Sequence, residues 1–213
     1  MNKYFTEAQA LLSELTACRR DLHCYPETGW TEFRTAAKVI TVLRGLGFEV
    51  SFGEAVLVPE EMMGLPAPEV LEAAMHRAVR EGADPELVKQ MAGGRTGVVG
   101  VLKFARPGKI IGMRFDMDCN DVQEADDAEH RPVRENFASR HEKAMHACGH
   151  DGHVAIGLAV ARLAAAHKEE LAGTLKLVFQ PAEEGVRGAR AMAAKGVVDD
   201  VDYFFGGHLG FIA

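Results

Sequence analysis

The sequence predicts an α/β fold with three layers, in which helices flank a mixed β-sheet. Apolar runs of strand length, "TGVVGVLKF", "KIIGMRFD" and "TLKLVFQ", occur among segments with helical periodicity. Such an order of strands and helices is typical of layered α/β sheets. The turn signal "ARPG" between the first two runs favours an antiparallel hairpin, which makes the predicted sheet mixed.

Composition and charge limit the class of protein. The chain has 213 residues, 47% of them hydrophobic, which is enough to bury a sizeable core. Its formal net charge of -7 argues against nucleic-acid or membrane-surface partners, because both need a cationic face. The sequence lacks both a membrane-length apolar run and the apolar core of a signal peptide. We therefore expect a cytoplasmic protein, with its four cysteines as thiols or ligands.

The first half of the chain predicts helices and one short strand. A first helix starts at a capping box formed by Thr6 and Gln9 and ends before Pro26. A second helix begins near Thr31 and precedes the strand "FEV". Residues from about 52 to 93 have several prolines, many charges and short helical patterns. We interpret them as a helical surface insertion, with a mobile loop as the alternative.

The second half of the chain predicts strands that end in polar side chains. The stretch "AMHACGHDGHV" opens an apolar helix, and the strand "TLKLVFQ", the helix "GARAMAAKG" and the strand "VDYFFGGH" follow. In open α/β sheets the carboxyl ends of the strands line the ligand crevice. Strand ends and the helix start should therefore bring together seven polar residues: Asp116, Asp118, Glu183, Glu184, His208, Cys148 and His150.

Part of this group is a set of sulfur, nitrogen and oxygen donors, namely Cys148, His150, Glu184 and His208. Such donors suit zinc, manganese, cobalt or nickel. Metal binding without a phosphate-binding loop indicates hydrolysis, in which the ion lowers the pKa of water and polarises the attacked carbonyl. Glu183, the neighbour of a ligand, is then the general base.

Each part of this pattern also has a plainer interpretation. A single Cys-x-His pattern is common by chance, and "PAEEG" can be an acidic helix start facing the helix dipole. A lone histidine such as His208 is more often a satisfied loop or core residue, and Asp116 and Asp118 can be turn formers. The metal site is favoured because all four segments fall at strand ends or at a helix start.

Four further residues are candidates for supporting the ligands from behind or for contacting the substrate. His146 and His153 are placed here because five donors would crowd one ion. Asp116 can hold the far nitrogen of an imidazole and so fix its tautomer. His23 can line the cleft, and a core or loop histidine is an equal alternative.

Five motifs, "RRDLHCYPETGW", "MRFDMD", "MHACGHDGH", "FQPAEEGVRGARAM" and "VVDDVDYFFGGHLG", resemble in their order the metal-dependent amidohydrolases that include hippurate hydrolases and aminoacylase-like carboxypeptidases. The long insertion and "HRPVRENFAS" resemble the aminobenzoyl-glutamate utilization group more narrowly. The resemblance implies a zinc-exopeptidase-like catalytic domain with two divalent ions, Mn or Zn first and Co or Ni next. It also implies a fixed set of roles, with Glu183 as the base and Cys148, His150, Glu184 and His208 as ligands.

Members of that family are roughly twice as long as this chain. The resemblance therefore implies that residues 1–213 are the N-terminal part of the catalytic domain, which is incomplete. A lid and dimerisation domain, the C-terminal part of the catalytic domain and one more histidine ligand would be absent. We expect the isolated chain to bind metal weakly and to be poorly active.

The expected substrate is a small N-acyl or N-aroyl amino acid, with p-aminobenzoyl-glutamate as the specific candidate. The expected partner is a second copy of the chain or a related second subunit. Two alternatives remain open. One is a general aminoacylase or N-acetyl-amino-acid deacetylase, and the other is a truncated, non-catalytic module for metal binding or assembly.

Overall fold

One five-stranded mixed sheet forms the centre of the computed structural model, which describes residues 3–210. The strands are β1 Glu49–Phe52, β2 Val98–Lys103, β3 Arg106–Asp116, β4 Ala172–Gln180 and β5 Tyr203–Gly206. They lie in the order β1-β2-β4-β3-β5. β2 is antiparallel to β1 and β4, whereas β3 is parallel to β4 and β5. The predicted mixed α/β sheet is confirmed.

The predicted hairpin between β2 and β3 is wrong, because β4 lies between these two strands. Leu177 of β4 is opposite Gly100 of β2 on one side and opposite Met113 of β3 on the other. All three strands carry apolar side chains on both faces, so their local patterns do not reveal which strand is central. The "ARPG" stretch closes no tight turn, since Arg106 already belongs to β3.

Helices cover both faces of this sheet. One hydrophobic cluster joins Leu177 and Phe179 to α2, α3 and α7, and a second joins Val178 to α8 on the opposite face. The helices are α1 Lys3–Ala10, α2 Leu12–Cys24, α3 Phe33–Gly45, α4 Pro68–Arg80, α5 Pro85–Gln90, α6 Arg131–Arg134, α7 His150–Ala166 and α8 Ala189–Ala194. Among residues 3–210, no helix has the length and apolarity needed to cross a membrane.

The predicted start of the first helix at Thr6 is wrong, because Thr6 lies inside α1. The helix begins before Thr6 because its first turn contacts the loop after α7. The Tyr4 ring meets the His167 ring edge-on at a centroid distance of 4.9 Å, and Glu7 and Lys3 pair with His167 and Glu170. The Thr-x-x-Gln spacing fits a helix interior as well as a cap, so the pattern alone could not decide.

Residues 53–91, between β1 and β2, lie outside the sheet, and we call them the helical segment. They form short 3-10 turns at Gly53–Ala55 and Pro59–Glu61, followed by α4 and α5. The Asp84 side chain caps α5 by accepting the Glu86 N–H at 2.8 Å. Leu71 and Leu87 of the segment are buried in the two hydrophobic clusters, which fixes the segment to both faces of the fold.

Replacing Gly157 of α7 with alanine should destabilise the fold, although alanine favours a helix by about 1 kcal/mol. A Cβ at this position would lie 2.8 Å from Phe115 Cδ2 and from Phe179 Cε1, and both rings are buried. The free energy of unfolding, measured in urea, should fall by about 1–3 kcal/mol. Gly45→Ala is the control, since nothing lies within 4 Å of its Cβ position. Equal unfolding free energies for the two variants would contradict this packing.

Candidate metal centre

The parallel pairing of β3 with β4 brings the candidate residues to one edge of the sheet. Asp116 at the end of β3 is opposite Gln180 at the end of β4, so the residues that follow both strands leave the sheet together. Asp118 follows β3, and Glu183 and Glu184 follow β4. The first residue of α7 is His150. The strand ends and the helix start therefore meet, as the sequence predicted.

The four predicted ligands meet around His150. Donor atoms of Cys148, His150 and His208 lie within 4.8 Å of one another, and so do those of His150, Glu183 and Glu184. Cys148 Sγ is 3.2 Å from His208 Nε2, and His150 Nε2 is 3.9 Å from Glu184 Oε1. His208 is exposed beyond β5, whereas His150 is fully buried. The arrangement offers a thiol, two imidazoles and a carboxylate to one small space.

These donors fit a divalent cation. His150 Nε2 and Glu184 Oε1 are buried and have no hydrogen-bond partner among the described residues. Buried polar atoms are nearly always paired, so both atoms lack a partner that a cation would supply. Burial, followed by the nearby Glu184 carboxylate, raises the pKa of Cys148 to about 11. A cation would reverse that effect, since a thiol bound to a metal ion loses its proton.

The backbone fixes the orientation of the His150 ring. His150 Nδ1 is 2.8 Å from the carbonyl oxygen of Asp118. Because a carbonyl only accepts, Nδ1 carries the proton. Nε2 then faces the other candidate ligand atoms, where its lone pair can bind a cation. Metal-binding histidines are commonly held in this way.

The sequence placed Asp118 at a strand end beside the candidate site but assigned it no role. Its fully buried carboxylate accepts the backbone N–H groups of Glu183 and Glu184, each at 3.0 Å. Its Oδ1 is also 3.4 Å from His150 Nδ1. The available signal was the Asp-x-Asp spacing after β3, because alternate residues of an extended chain point to the same side. Asp118 thereby joins the carboxylate loop, which we define as residues 181–188, to the start of α7.

Asp116 and His153 lie beside the donors. His153 Nδ1 is 3.3 Å from Asp116 Oδ2, and His153 Nε2 accepts the Leu209 N–H at 3.0 Å. Burial alone would raise the pKa of Asp116, but hydrogen bonds from His153 and Arg114 lower it. Donor atoms of Asp116, His150 and His153 also lie within 4.8 Å of one another. His150 therefore also belongs to this third group of candidate ligand atoms.

His23 lies in a buried polar network behind the start of α7, and the His146 ring lies beside the His23 ring at a centroid distance of 6.4 Å. His23 Nδ1 is 2.7 Å from Asp151 Oδ2, and His23 Nε2 is 3.0 Å from Glu124 Oε1. Neither ring nitrogen of His146 has a hydrogen-bond partner among the described residues. Burial lowers the pKa of His146 to about 4, so its ring is neutral at pH 7. The structure brings neither histidine into the donor groups around His150.

Glu32 holds the other side of the carboxylate loop. Its Oε1 accepts the Ala182 N–H at 2.7 Å, and its Oε2 accepts the Thr96 hydroxyl at 2.6 Å. Burial, followed by the charge of Asp118, raises the pKa of Glu32 to about 8. The sequence placed Glu32 near the start of a helix and offered no signal for this role, since its partners are distant in the chain.

Asp118→Asn should weaken both the fold and metal binding. Each oxygen of Asp118 accepts one N–H group of the carboxylate loop, and asparagine replaces one of these acceptors with an NH2 donor. One buried donor left unpaired costs about 1–3 kcal/mol. Zn²⁺ affinity should fall about 10- to 100-fold, as for other residues that hold ligands. Urea unfolding and Zn²⁺ titration measure the two effects. Asp121→Asn, at an exposed site nearby, is the control, and the same result for both variants would contradict the role of Asp118.

Glu32→Gln should flatten part of the pH dependence of stability. Between the usual glutamate pKa of 4.5 and about 8, the folded chain keeps a proton that the unfolded chain has released. The free energy of unfolding therefore falls as pH rises in this window, by at most about 1.4 kcal/mol per pH unit. Glutamine does not titrate, so the wild-type free energy should fall relative to that of Glu32→Gln from pH 5 to pH 8. A constant difference in urea unfolding would refute this.

Sulfur, nitrogen and carboxylate donors gathered at the strand ends of a mixed α/β sheet are a set that suits a metal-dependent hydrolase. The comparison with protein families agrees. The profile described as Peptidase family M20/M25/M40 matches residues 112–211 of the chain.

Curated relatives align with nearly the whole chain. Over 210 residues it is 49% identical to an indole-3-acetyl-aspartic acid hydrolase from Enterobacter agglomerans, covering 99% of the chain and 48% of the relative. Over 201 residues it is 47% identical to one subunit of the p-aminobenzoyl-glutamate hydrolase from Escherichia coli, covering 94% and 46%. The chain thus spans about half the length of the curated relatives it matches.

Solved structures share the fold. An aminobenzoyl-glutamate utilization protein from Klebsiella pneumoniae superposes with a TM-score of 0.81 at 40% identity, covering 100% of this chain and 47% of that one. A Bacillus subtilis protein described as a dinuclear metal binding peptidase from the M20 family gives 0.69 at 29% identity, covering 95% and 44%. The predicted family resemblance is confirmed.

Proposed function

We propose that this chain supplies the metal-binding part of an amidohydrolase that cleaves the amide bond of an N-acyl or N-aroyl amino acid. The observation that carries the proposal is the convergence of Cys148, His150, Glu184 and His208, with Glu183 beside them. Two relatives are named for indole-3-acetyl-aspartic acid and p-aminobenzoyl-glutamate. Both compounds join an aromatic acyl group to an acidic amino acid, so we favour that substrate class, and p-aminobenzoyl-glutamate within it.

Two divalent ions held by these donors, Mn²⁺ or Zn²⁺ before Co²⁺ or Ni²⁺, would lower the pKa of a water molecule and polarise the amide carbonyl. Glu183 would act as the general base, which takes a proton from water and returns it to the leaving nitrogen. Its Oε2 is 3.7 Å from His150 Nε2, and its Oε1 is 3.9 Å from Arg114 Nη2. Glu183 therefore borders the ligands, and Asp118 fixes its backbone.

We assign supporting roles to the remaining candidates. Asp116 and His153 border His150 and are suited to hold the second ion or to orient the ligands. His23 holds Asp151, the residue after His150, and so steadies the start of α7. The neutral His146 lies beside His23, and its unpaired nitrogens are suited to a polar group of the bound substrate or to ordered water.

For the whole protein we propose that residues 1–213 form the N-terminal part of the catalytic domain, with a helical surface insertion at about 52–93. The additional residues that the relatives contain would form the lid and the rest of the catalytic domain. The name of the Escherichia coli relative describes it as one subunit of its hydrolase. We accordingly propose that the whole protein works as a homodimer or with a related second subunit.

Glu183→Gln should abolish turnover and leave metal binding unchanged, because Gln cannot accept the proton of water. We expect a loss of about 10²- to 10⁴-fold in the release of p-aminobenzoate from p-aminobenzoyl-glutamate. Zinc content after dialysis should stay at the wild-type level, whereas Glu184→Gln should lower it. Because the chain spans about half of its relatives, the remaining half is supplied as a second polypeptide in the turnover assay.

Three outcomes decide between the interpretations. Turnover that survives in Glu183→Gln would contradict its role as the base. Equal loss of zinc in Glu183→Gln and Glu184→Gln would contradict the division of roles between the two carboxylates. Stoichiometric zinc binding without turnover, even with the second polypeptide present, would identify a binding or assembly module instead of an enzyme.

A further inference from the structure

We propose that Arg187 is a positioning residue that couples the helical segment to the carboxylate loop and thereby sets the metal affinity of Glu184. This inference rests on the proposed role of Glu184 as a ligand. Arg187 Nε donates to the backbone carbonyl of Glu184 at 2.8 Å. Its Nη1 donates to the carbonyl of Gly64 at 3.3 Å. One guanidinium thus joins the loop that carries the ligand to a distant part of the chain.

Two glycines fit the Arg187 side chain closely. A Cβ at Gly64 would lie 2.9 Å from Arg187 Cδ, and a Cβ at Gly29 would overlap Arg187 Nη2. Gly64 also has a left-handed backbone, with φ of 62°. A Cβ at either position would therefore force the Arg187 side chain to move. A flexible surface arginine would not need such a fit.

The Gly64 side of this contact is fixed to the core. The indole N–H of Trp30, which is fully buried, donates to the carbonyl of Met63 at 2.8 Å. The Val58 N–H donates to Ala191 of α8 at 3.1 Å. The stretch from Val58 to Gly64 is thus hydrogen-bonded to the rest of the fold near both ends, and Arg187 joins the carboxylate loop to this stretch.

The carboxylate loop needs such an anchor because its backbone is strained. Ala182 and Val186 have left-handed φ values of 46° and 59°, which are unfavourable for residues with a Cβ and most of all for valine. Strained residues persist where surrounding contacts hold them. Glu32 and Asp118 hold the loop from the interior, and Arg187 holds it from the side of the helical segment.

A coupling of this kind acts in both directions. If the position of the helical segment changes the affinity of Glu184 for a cation, the bound cation must stabilise the same position of the segment. Trp30 is the single tryptophan of the chain, and its indole contacts the segment at Met63. Its fluorescence therefore reports the coupling separately from metal affinity.

The test compares Arg187→Met with Arg190→Met in Zn²⁺ titrations of the full 213-residue chain against a chelating dye. Arg190 also connects the α8 region with the helical segment, but its ion-pair partner is Glu61. We expect Arg187→Met to lower the Zn²⁺ affinity about tenfold, within the range for residues behind metal ligands. Arg190→Met should stay within about twofold of wild type, since surface ion pairs contribute little. Arg187→Lys should recover part of the loss, because one ammonium group can still reach a carbonyl.

Addition of Zn²⁺ should change the Trp30 emission in the wild-type chain and in Arg190→Met, and should leave it unchanged in Arg187→Met. A second pair of variants tests the contact from its other side. Gly64→Ala and Gly82→Ala both strain a left-handed glycine of the helical segment, with φ of 62° and 92°. A Cβ meets nothing within 4 Å at Gly82, so Gly64→Ala alone should lower the Zn²⁺ affinity.

Wild-type Zn²⁺ affinity in Arg187→Met would overturn this inference, as would an equal loss in Arg190→Met. If circular dichroism shows that Arg187→Met is unfolded, the two glycine variants decide, and equal affinities for them would overturn it. A wild-type chain that binds no Zn²⁺ would instead contradict the proposed metal site, and this inference with it. The failures of the two proposals are thus distinguishable.

Discussion

The buried carboxylate of Asp118 is the contact on which the candidate metal centre depends. It accepts two consecutive backbone N–H groups of the carboxylate loop and lies against the ring of His150. It therefore joins the residues that follow β3 and β4 to the start of α7. The sheet brings these ends near one another, but Asp118 sets the spacing between an imidazole and a carboxylate to within a few ångström.

The centre also concentrates negative charge in a small volume, and this charge raises the pKa values of neighbouring groups. After burial, the charge of Asp118 contributes to the raised pKa of Glu32, and that of Glu184 to the raised pKa of Cys148. Such repulsion opposes folding unless a cation or a proton compensates it. Metal binding would stabilise the folded chain and release protons from its ligands. The strained backbone of the carboxylate loop also opposes folding, because the loop alone would not adopt this geometry. Surrounding contacts must therefore hold it.

The sequence predicted the parts of this site that depend on local pattern. His208, Glu184 and His150 were placed together because each follows an apolar strand or starts a helix, and strand ends meet at a sheet edge. The order of the strands was not predictable in this way, since β4 enters between β2 and β3 from distant residues. The roles of Asp118, Glu32 and Arg187 depend on backbone groups of Glu183, Ala182 and Gly64, and a backbone partner leaves no trace in residue identity.

The central claim is that one cation binds to Cys148, His150 and Glu184 together. Anomalous diffraction at the zinc edge, from crystals of the chain grown with Zn²⁺, tests this most directly. We expect a peak about 2.3 Å from Cys148 Sγ and about 2.0–2.1 Å from His150 Nε2, within bonding reach of a Glu184 oxygen. Peaks confined to other surface residues, with none between Cys148 and His150, would contradict it.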